Sequence, residues 1–304
     1  MLAKSEPSHK RKLMFVASLI SPSGMLDESL VDSLCNAWGG GVYKWLSVDE
    51  AAEFELDRIP DNRWKVWQDL QAMQVDLIFQ LSHNRRKKML LADMDSTMIE
   101  QECIDELADE AGIGEHTKAI TARAMNGELD FEEALTERVS RLKGEPASII
   151  ERVLSERITF MPGGAVVLAT MKANGGYAAL VSGGFTAFTE KVADSLGFDE
   201  HQANTLIIKE GFLTGKVGYP ILGCQAKVDA MEKIASRIKI KASDIIAVGD
   251  GANDLGMLAR AGTGVALHAK PSVAAKCDVR INFGDLTALL FLQGYDRQEF
   301  VELD

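Results

Sequence analysis

Residues 89–97 have the sequence Met89-Leu90-Leu91-Ala92-Asp93-Met94-Asp95-Ser96-Thr97. The first four are apolar without interruption, which is typical of a strand buried on both faces of a parallel sheet. From residue 161 to about residue 281, helix-like and strand-like segments alternate, and this alternation predicts a doubly wound parallel α/β sheet. We therefore expect 89–92 to be the first strand of an α/β domain that spans 85–304.

Residues 102–160 interrupt the alternation. They show helical periodicity almost throughout, and glycines divide the segment into separate helices. Because the segment lies between the first strand and the rest of the sheet, it predicts a helical cap that covers the sheet.

Residues 13–82 have a different pattern. Their hydrophobic periodicity predicts the order βαββαβ, which is the α+β ferredoxin-like unit. All four tryptophans precede residue 70, and residues 1–88 contain 12 basic and 12 acidic residues, so the net charge of −12 belongs to 89–304. We therefore expect a separate domain over 1–84. It resembles the small amino-acid-binding domains of the ACT type. Two roles remain open for it: amino-acid sensing, and dimerisation, which would make the protein a homodimer.

The composition excludes several classes of function. The chain has 33 Lys and Arg residues against 45 Asp and Glu residues, so it lacks the basic surface that nucleic acids or an anionic membrane would require. No stretch approaches the ~20 apolar residues that span a bilayer. The four cysteines lie far apart, which is typical of a reduced, cytoplasmic protein. We expect a cytoplasmic enzyme with a small-molecule substrate and neither a nucleic-acid nor a membrane partner.

Polar motifs follow three of the predicted strands, and ligands of open α/β sheets bind at the carboxyl ends of the strands. The motifs are Asp93-x-Asp95, Ser182-Gly183-Gly184 and Gly249-Asp250-Gly251-Ala252-Asn253-Asp254. Residues two apart in an extended segment point the same way, so Asp93 and Asp95 should face one site, where Asp250 and Asp254 add negative charge. These carboxylates would repel one another unless a hard cation joined them, and Mg²⁺ is the natural candidate. Taken alone, Asp93-x-Asp95 is also compatible with a polar turn.

Two further features are typical of a phosphate site. Ser182-Gly183-Gly184 precedes a helix expected to start near Ala187, where free N–H groups and the helix dipole attract an anion. We expect Lys227 to begin a helix. Its positive charge is of the kind that phosphoryl-transfer enzymes place beside the oxygens of the transferring group. Each feature alone is equally compatible with a glycine-rich turn or a solvated lysine.

In this order, the motifs resemble those of the haloacid dehalogenase superfamily, and they cover residues 89–285. Asp93–Thr97 matches the first motif, Ser182–Gly184 the second, Lys227 the third and Gly249–Asp254 the fourth. The members that hydrolyse O-phosphoserine are the most similar, because Glu102 and Arg138 of the cap match the positions that bind the amino and carboxylate groups of that substrate.

The resemblance implies Mg²⁺-dependent hydrolysis of O-phospho-L-serine, the last step of serine biosynthesis, through an aspartyl-phosphate on Asp93. Asp95 would act as the general acid and then as the general base. Mg²⁺ would be held by the Asp93 carboxylate, the Asp95 backbone carbonyl and Asp250, with Asp254 supporting these ligands. The implied substrate-binding residues are Glu102, Arg138, Ser182, Gly183, Lys227 and Asn253. A phosphatase or phosphotransferase for another small phosphomonoester would share every motif except the pair Glu102 and Arg138.

Overall fold

The computed structural model describes residues 14–126 and 128–302. The chain begins with a four-stranded antiparallel sheet whose strand order is β2-β3-β1-β4. Its elements are β1 (Phe15–Ile20), α1 (Glu28–Trp38), β2 (Tyr43–Ser47), β3 (Ala51–Leu56), α2 (Arg63–Gln71) and β4 (Asp76–Leu81). This is the predicted βαββαβ unit; residue 13, where the first strand was expected to begin, lies outside the described residues.

A short strand, β5 (Met89–Ala92), then starts the second sheet, and the cap follows it. The helices of the cap are α3 (Cys103–Glu110), α4 (Gly114–Met125), α5 (Phe131–Ser140) and α6 (Ser148–Glu156). The remaining elements are α7 (Gly164–Ala173), β6 (Tyr177–Phe185), α8 (Thr186–Leu196), β7 (Glu200–Asn204), β8 (Leu206–Lys209), β9 (Phe212–Val217), α9 (Cys224–Arg237), β10 (Ile245–Gly249), α10 (Leu255–Arg260), β11 (Thr263–Leu267), α11 (Pro271–Ala274), β12 (Val279–Ile281) and α12 (Ala288–Leu292).

The second sheet confirms the predicted α/β class. Its six strands are parallel and have the order β12-β11-β10-β5-β6-β7. All four residues of β5 are fully buried, as the continuous apolar run predicted. Because β6 and β10 flank β5, the three motif-bearing strands end side by side.

The structure differs from the sequence-based expectations in four elements. β6 continues through Phe185, so the Ser182-Gly183-Gly184 motif forms an irregular strand end rather than a turn. α9 begins at Cys224, which places Lys227 one turn inside the helix rather than at its start. The strand β7 and the helix α12 were not predicted, because β7 is a polar edge strand and α12 is a short apolar run without a distinctive period.

The first sheet packs closely against the second part of the chain. Ile20 and Ile78 share one hydrophobic core with Leu289 of α12. The buried carboxylate of Asp76 accepts hydrogen bonds from the backbone N–H groups of Asn282, Phe283 and Gly284, at 2.8, 3.0 and 3.1 Å. Burial raises the pKa of Asp76 to about 6 against the opposing effect of these bonds. The division at residues 84 and 85 stays a prediction.

We expect Asp76→Ala to destabilise the protein, because it leaves three N–H donors, two partly buried and one buried, without an acceptor. The free energy of unfolding in urea should fall by about 2–4 kcal/mol at neutral pH. Asp69→Ala, on the exposed surface of α2, is the matched control and should change stability by less than about 0.5 kcal/mol. Equal urea midpoints for the two variants would show that Asp76 does not anchor the first sheet.

Candidate active site

The carboxyl ends of β5, β6 and β10 bring the three predicted motifs together. At their centre, the ammonium group of Lys227 lies 2.6 Å from Asp93 Oδ1 and 2.6 Å from Asp254 Oδ1, and all three side chains are buried. Burial disfavours the charged form of Lys227, but the charges of Asp254 and Asp93 outweigh it and raise its pKa. The second oxygen of Asp254 accepts the N–H of Gly251 at 3.0 Å. Lys227 is therefore held as a cation between two carboxylates.

Asp250 differs from Asp254 in the hydrogen bonding of its carboxylate. Neither oxygen has a hydrogen-bond partner among the described residues, although the side chain is buried. The nearest cation is Lys270, whose Nζ lies 3.9 Å from Asp250 Oδ2. Burial and the neighbouring carboxylates raise the pKa of Asp250 well above its usual range. A buried carboxylate without a partner is the expected state of a ligand that is completed by a cation.

The side chains of Asp93, Asp250 and Asp254 offer oxygens that lie within 4.8 Å of one another. This buried acidic cluster fits a divalent metal ion, because carboxylate oxygens are the ligands that hard cations prefer. Both oxygens of Asp254 have partners, Lys227 and Gly251, whereas Lys227 contacts only one oxygen of Asp93 and neither oxygen of Asp250. Asp93 and Asp250 are therefore the more available ligands, and that they bind the metal stays a prediction. The predicted ligation by the Asp95 carbonyl remains a prediction.

The partly buried carboxylate of Asp95 lies beside this cluster. Its Oδ1 accepts the N–H of Cys103 at the start of the cap, at 3.1 Å. Burial raises the pKa of Asp95, and the interaction with Cys103 only partly offsets this. A side chain on Gly184 would place its Cβ 2.6 Å from Asp95 Oδ2, so the second glycine of the motif leaves room for this carboxylate.

The Ser182-Gly183-Gly184 segment lies at the end of β6, next to the cap. Ser182 Oγ accepts the N–H of Gly184 at 2.8 Å, which fixes the hydroxyl at the strand end. A Cβ on Gly183 would lie 2.6 Å from the ring of Phe131 in the cap. Only glycine at 183 therefore lets the cap approach the strand this closely.

Glu102 and Arg138 are the predicted substrate-binding residues of the cap, and both reach the same site. Glu102 Oε1 accepts a hydrogen bond from Ser96 Oγ at 2.7 Å. Burial, followed by the charge of Asp95, raises the pKa of Glu102 to about 7. Arg138 is buried, and its Nε donates to the carbonyl of Ala134 at 3.1 Å. The structure thus brings two groups of opposite charge from the cap to the ends of the strands.

A narrow cavity joins these groups. Its volume of about 30 Å³ corresponds to roughly one water molecule, so the cavity in this arrangement is too small for a larger substrate. The predicted site residues that line the cavity are Asp93, Asp95, Glu102, Arg138, Ser182, Gly183 and Asn253. Lys227, Asp250 and Asp254 lie behind it, around Asp93.

Sequence reasoning missed Asn204, the last residue of β7. Its Nδ2 donates to the carbonyls of Gly183 and Leu222, at 2.9 and 3.2 Å, and its Oδ1 accepts the N–H of Leu222 at 2.7 Å. The buried amide therefore connects the strand end at Gly183 with the loop that leads into α9, the helix of Lys227. No short motif marks Asn204, because its partners are distant in sequence and its strand was not predicted. Phe131 lies on a helix of the predicted cap, but it was missed because its contact with Gly183 joins residues that are distant in sequence.

Comparison with known proteins shows the family of the chain. Residues 90–259 match the family model of haloacid dehalogenase-like hydrolases. The chain is 43% identical over 257 residues to a phosphoserine phosphatase of Vibrio cholerae, which covers 84% of this chain and 75% of that protein. It is also 43% identical over 206 residues to a phosphoserine phosphatase of Methanocaldococcus jannaschii, which covers 68% of this chain and 97% of that protein.

Solved structures show the same relationship. A haloacid dehalogenase family hydrolase of Salmonella enterica serovar Typhi has a TM-score of 0.80 at 32% identity and covers 92% of this chain and 98% of that chain. A substrate-bound phosphoserine phosphatase complex has a TM-score of 0.65 at 43% identity and covers 68% of this chain and 98% of that chain. The match over 90–259 and the level of identity show that the chain belongs to the haloacid dehalogenase-like hydrolases.

Proposed function

We propose that the protein hydrolyses O-phospho-L-serine to L-serine and phosphate, with Mg²⁺ as its cofactor. The observation that carries this proposal is that Glu102 and Arg138 of the cap share one cavity with Asp93. The substrate carries an ammonium, a carboxylate and a phosphate group, and these three residues are of the types that bind or react with each. The relatives named phosphoserine phosphatase support the same substrate.

Asp93 is the proposed nucleophile. Its carboxylate oxygen attacks phosphorus, the bond between phosphorus and the serine oxygen breaks, and an aspartyl-phosphate forms. Asp95 donates its proton to the departing serine oxygen, which suits a carboxyl group whose pKa is raised by burial. In the second step Asp95 takes a proton from water, the water oxygen bonds to phosphorus, and phosphate leaves as Asp93 is restored.

The phosphoryl oxygens are held by the remaining groups at the strand ends. Lys227, the Ser182 hydroxyl and the Gly183 N–H provide the positive charge and donors that a transferring phosphoryl group requires, and Asn253 supports the substrate. Mg²⁺ would be held by the Asp93 carboxylate, the Asp95 carbonyl and Asp250, and it would supply further positive charge to the site. Asp254 acts through Lys227, which it holds at 2.6 Å.

The proposal includes a place in metabolism and in the cell. Because the product is free serine, the reaction completes a route to that amino acid. A cytoplasmic location is supported by the free state of the four cysteines, Cys35, Cys103, Cys224 and Cys277. No helix in the described parts of the chain is both long and apolar enough to cross a membrane.

Arg138→Ala tests the proposed substrate. With Mg²⁺, the wild-type protein should release phosphate from O-phospho-L-serine, and EDTA should abolish this activity. The variant should raise KM for O-phospho-L-serine by roughly 10–100-fold, because a charge-assisted contact is lost, and should raise KM for 4-nitrophenyl phosphate far less. Arg141→Ala, which changes an exposed arginine one turn further on, is the control. Equal effects of Arg138→Ala on both substrates would favour another phosphomonoester as the natural substrate.

The pKa of Glu102 predicts a specific pH dependence. Glu102 must be ionised to bind the substrate ammonium, and its pKa is raised to about 7. We therefore expect kcat/KM for O-phospho-L-serine to fall as the pH drops through about 7, beyond any fall seen with 4-nitrophenyl phosphate, which has no ammonium. Glu102→Gln should lower kcat/KM for O-phospho-L-serine at pH 8 and remove this extra fall. Its persistence in Glu102→Gln would assign the titration to another group.

A further inference from the structure

Arg138 is a buried guanidinium without a direct ion pair. No carboxylate of the described residues lies within 4.0 Å of its nitrogens, although Glu102, Asp105 and Asp95 are near enough to favour its charge. Two of its five N–H donors have partners in the described part of the chain: Nε donates to the carbonyl of Ala134 at 3.1 Å, and Nη1 donates to Thr121 Oγ1 at 2.9 Å. The other three donors remain for a ligand in the cavity that Arg138 lines.

Thr121 connects this guanidinium to a carboxylate. Its Oγ1 lies 2.7 Å from Asp105 Oδ1. A guanidinium has no acceptor, so the hydroxyl must accept from Arg138 and donate its only proton to Asp105. Arg138 lies on α5, Thr121 on α4 and Asp105 on α3, and all three side chains are buried. The hydroxyl therefore joins three helices of the cap in one directed chain of hydrogen bonds.

This arrangement orients Arg138 without neutralising it. A direct pair between Asp105 and Arg138 would occupy the donors that a substrate carboxylate needs, in the parallel geometry that guanidinium and carboxylate groups prefer. The intervening hydroxyl keeps Asp105 one hydrogen bond away, where its charge still favours that of Arg138. Burial raises the pKa of Asp105, while Thr121 and Arg138 oppose this shift.

We propose that Thr121 and Asp105 are positioning residues that set the preference of the enzyme for phosphomonoesters that carry a carboxylate. This inference rests on the proposed function, because it assigns the carboxylate of the substrate to Arg138. Without the hydroxyl, the hydrogen bond from Nε to Ala134 remains but the Nη1 end of the guanidinium loses its partner, so this end can turn toward Glu102 or Asp105. This change weakens the binding of substrates that carry a carboxylate and leaves the phosphoryl transfer at Asp93 unchanged.

The test compares O-phospho-L-serine with O-phosphoethanolamine, which retains the ammonium and phosphate groups but has no carboxylate. The measured quantity is the ratio of kcat/KM for the two substrates. Thr121→Val keeps the shape of the side chain and removes its hydroxyl, and we expect it to reduce the ratio roughly tenfold, chiefly through KM for O-phospho-L-serine. Thr121→Ser restores the hydroxyl and should recover the ratio to within about threefold of wild type.

Thr117→Val is the matched control. Thr117 is buried one turn earlier on α4, and its hydroxyl donates to the carbonyl of Ile113 at 3.3 Å rather than contacting Arg138. We expect it to leave the ratio unchanged while making the same chemical change in the same helix. Thermal unfolding of each variant shows whether it is folded. If Thr121→Val does not fold, Asp105→Asn replaces it, because it keeps the size of the side chain but weakens the acceptor of the Thr121 hydroxyl by removing its charge, and it should also lower the ratio.

The outcomes separate this inference from the function on which it rests. A wild-type protein that does not prefer O-phospho-L-serine to O-phosphoethanolamine overturns the proposed function itself. A clear wild-type preference that survives Thr121→Val, or falls equally in Thr117→Val, overturns the positioning role. Equal losses for both substrates in Thr121→Val would likewise show that the residue matters only for the packing of the cap.

Discussion

The buried ammonium of Lys227, held between Asp93 and Asp254, is the interaction on which the rest of the site depends. A buried charge costs several kcal/mol unless partners compensate it, and the two carboxylates at 2.6 Å provide that compensation. They come from the ends of β5 and β10, whereas Lys227 comes from α9. The ion pairs therefore join three separate elements at the edge of the sheet, and each partner would be left uncompensated without the others.

The same site contains more negative than positive charge. Asp95, Asp250 and Glu102 add to the two carboxylates that hold Lys227, and Arg138 is the second buried cation. Burial raises the pKa values of Asp95, Asp250 and Glu102, and repulsion by neighbouring carboxylates raises those of Asp250 and Glu102 further. A divalent cation and the ammonium group of a substrate would compensate this excess of negative charge. These are the positive charges that the proposed reaction brings to the site. In the proposed reaction, the sheet supplies the reacting groups, and the cap supplies the groups that distinguish one phosphomonoester from another.

Much of this organisation could be predicted from the sequence, because it depends on local patterns. The apolar run Met89–Ala92 indicated a central parallel strand, and the aspartates after it lie at its carboxyl end as expected. The helical periodicity of 102–160 indicated the cap. In each case the informative residues are adjacent in the chain. Their hydrophobic periodicity predicts the type of element, and the direction of the strand predicts at which end of the sheet the polar residues lie.

The rest depends on contacts between residues far apart in sequence. Asn204 and Thr121 act through partners on other elements, and neither residue belongs to a recognisable motif. The polar strand β7 pairs on one side only, so it lacks the apolar pattern of the inner strands. The domain boundary near residue 84, the homodimer and amino-acid sensing by the first sheet stay predictions. The contacts between Asp76 and residues 282–284 show only that this sheet is firmly attached.

The central claim is that Asp93 carries the phosphoryl group during turnover. Mass spectrometry of protein quenched in acid while it hydrolyses O-phospho-L-serine with Mg²⁺ tests this directly. The account predicts one phosphoryl group on the peptide that contains Asp93, bound to the carboxylate of that residue, and none on the Asp93→Asn variant, which should be folded but inactive. A phosphoryl group on another side chain, or sustained turnover by Asp93→Asn, would contradict it.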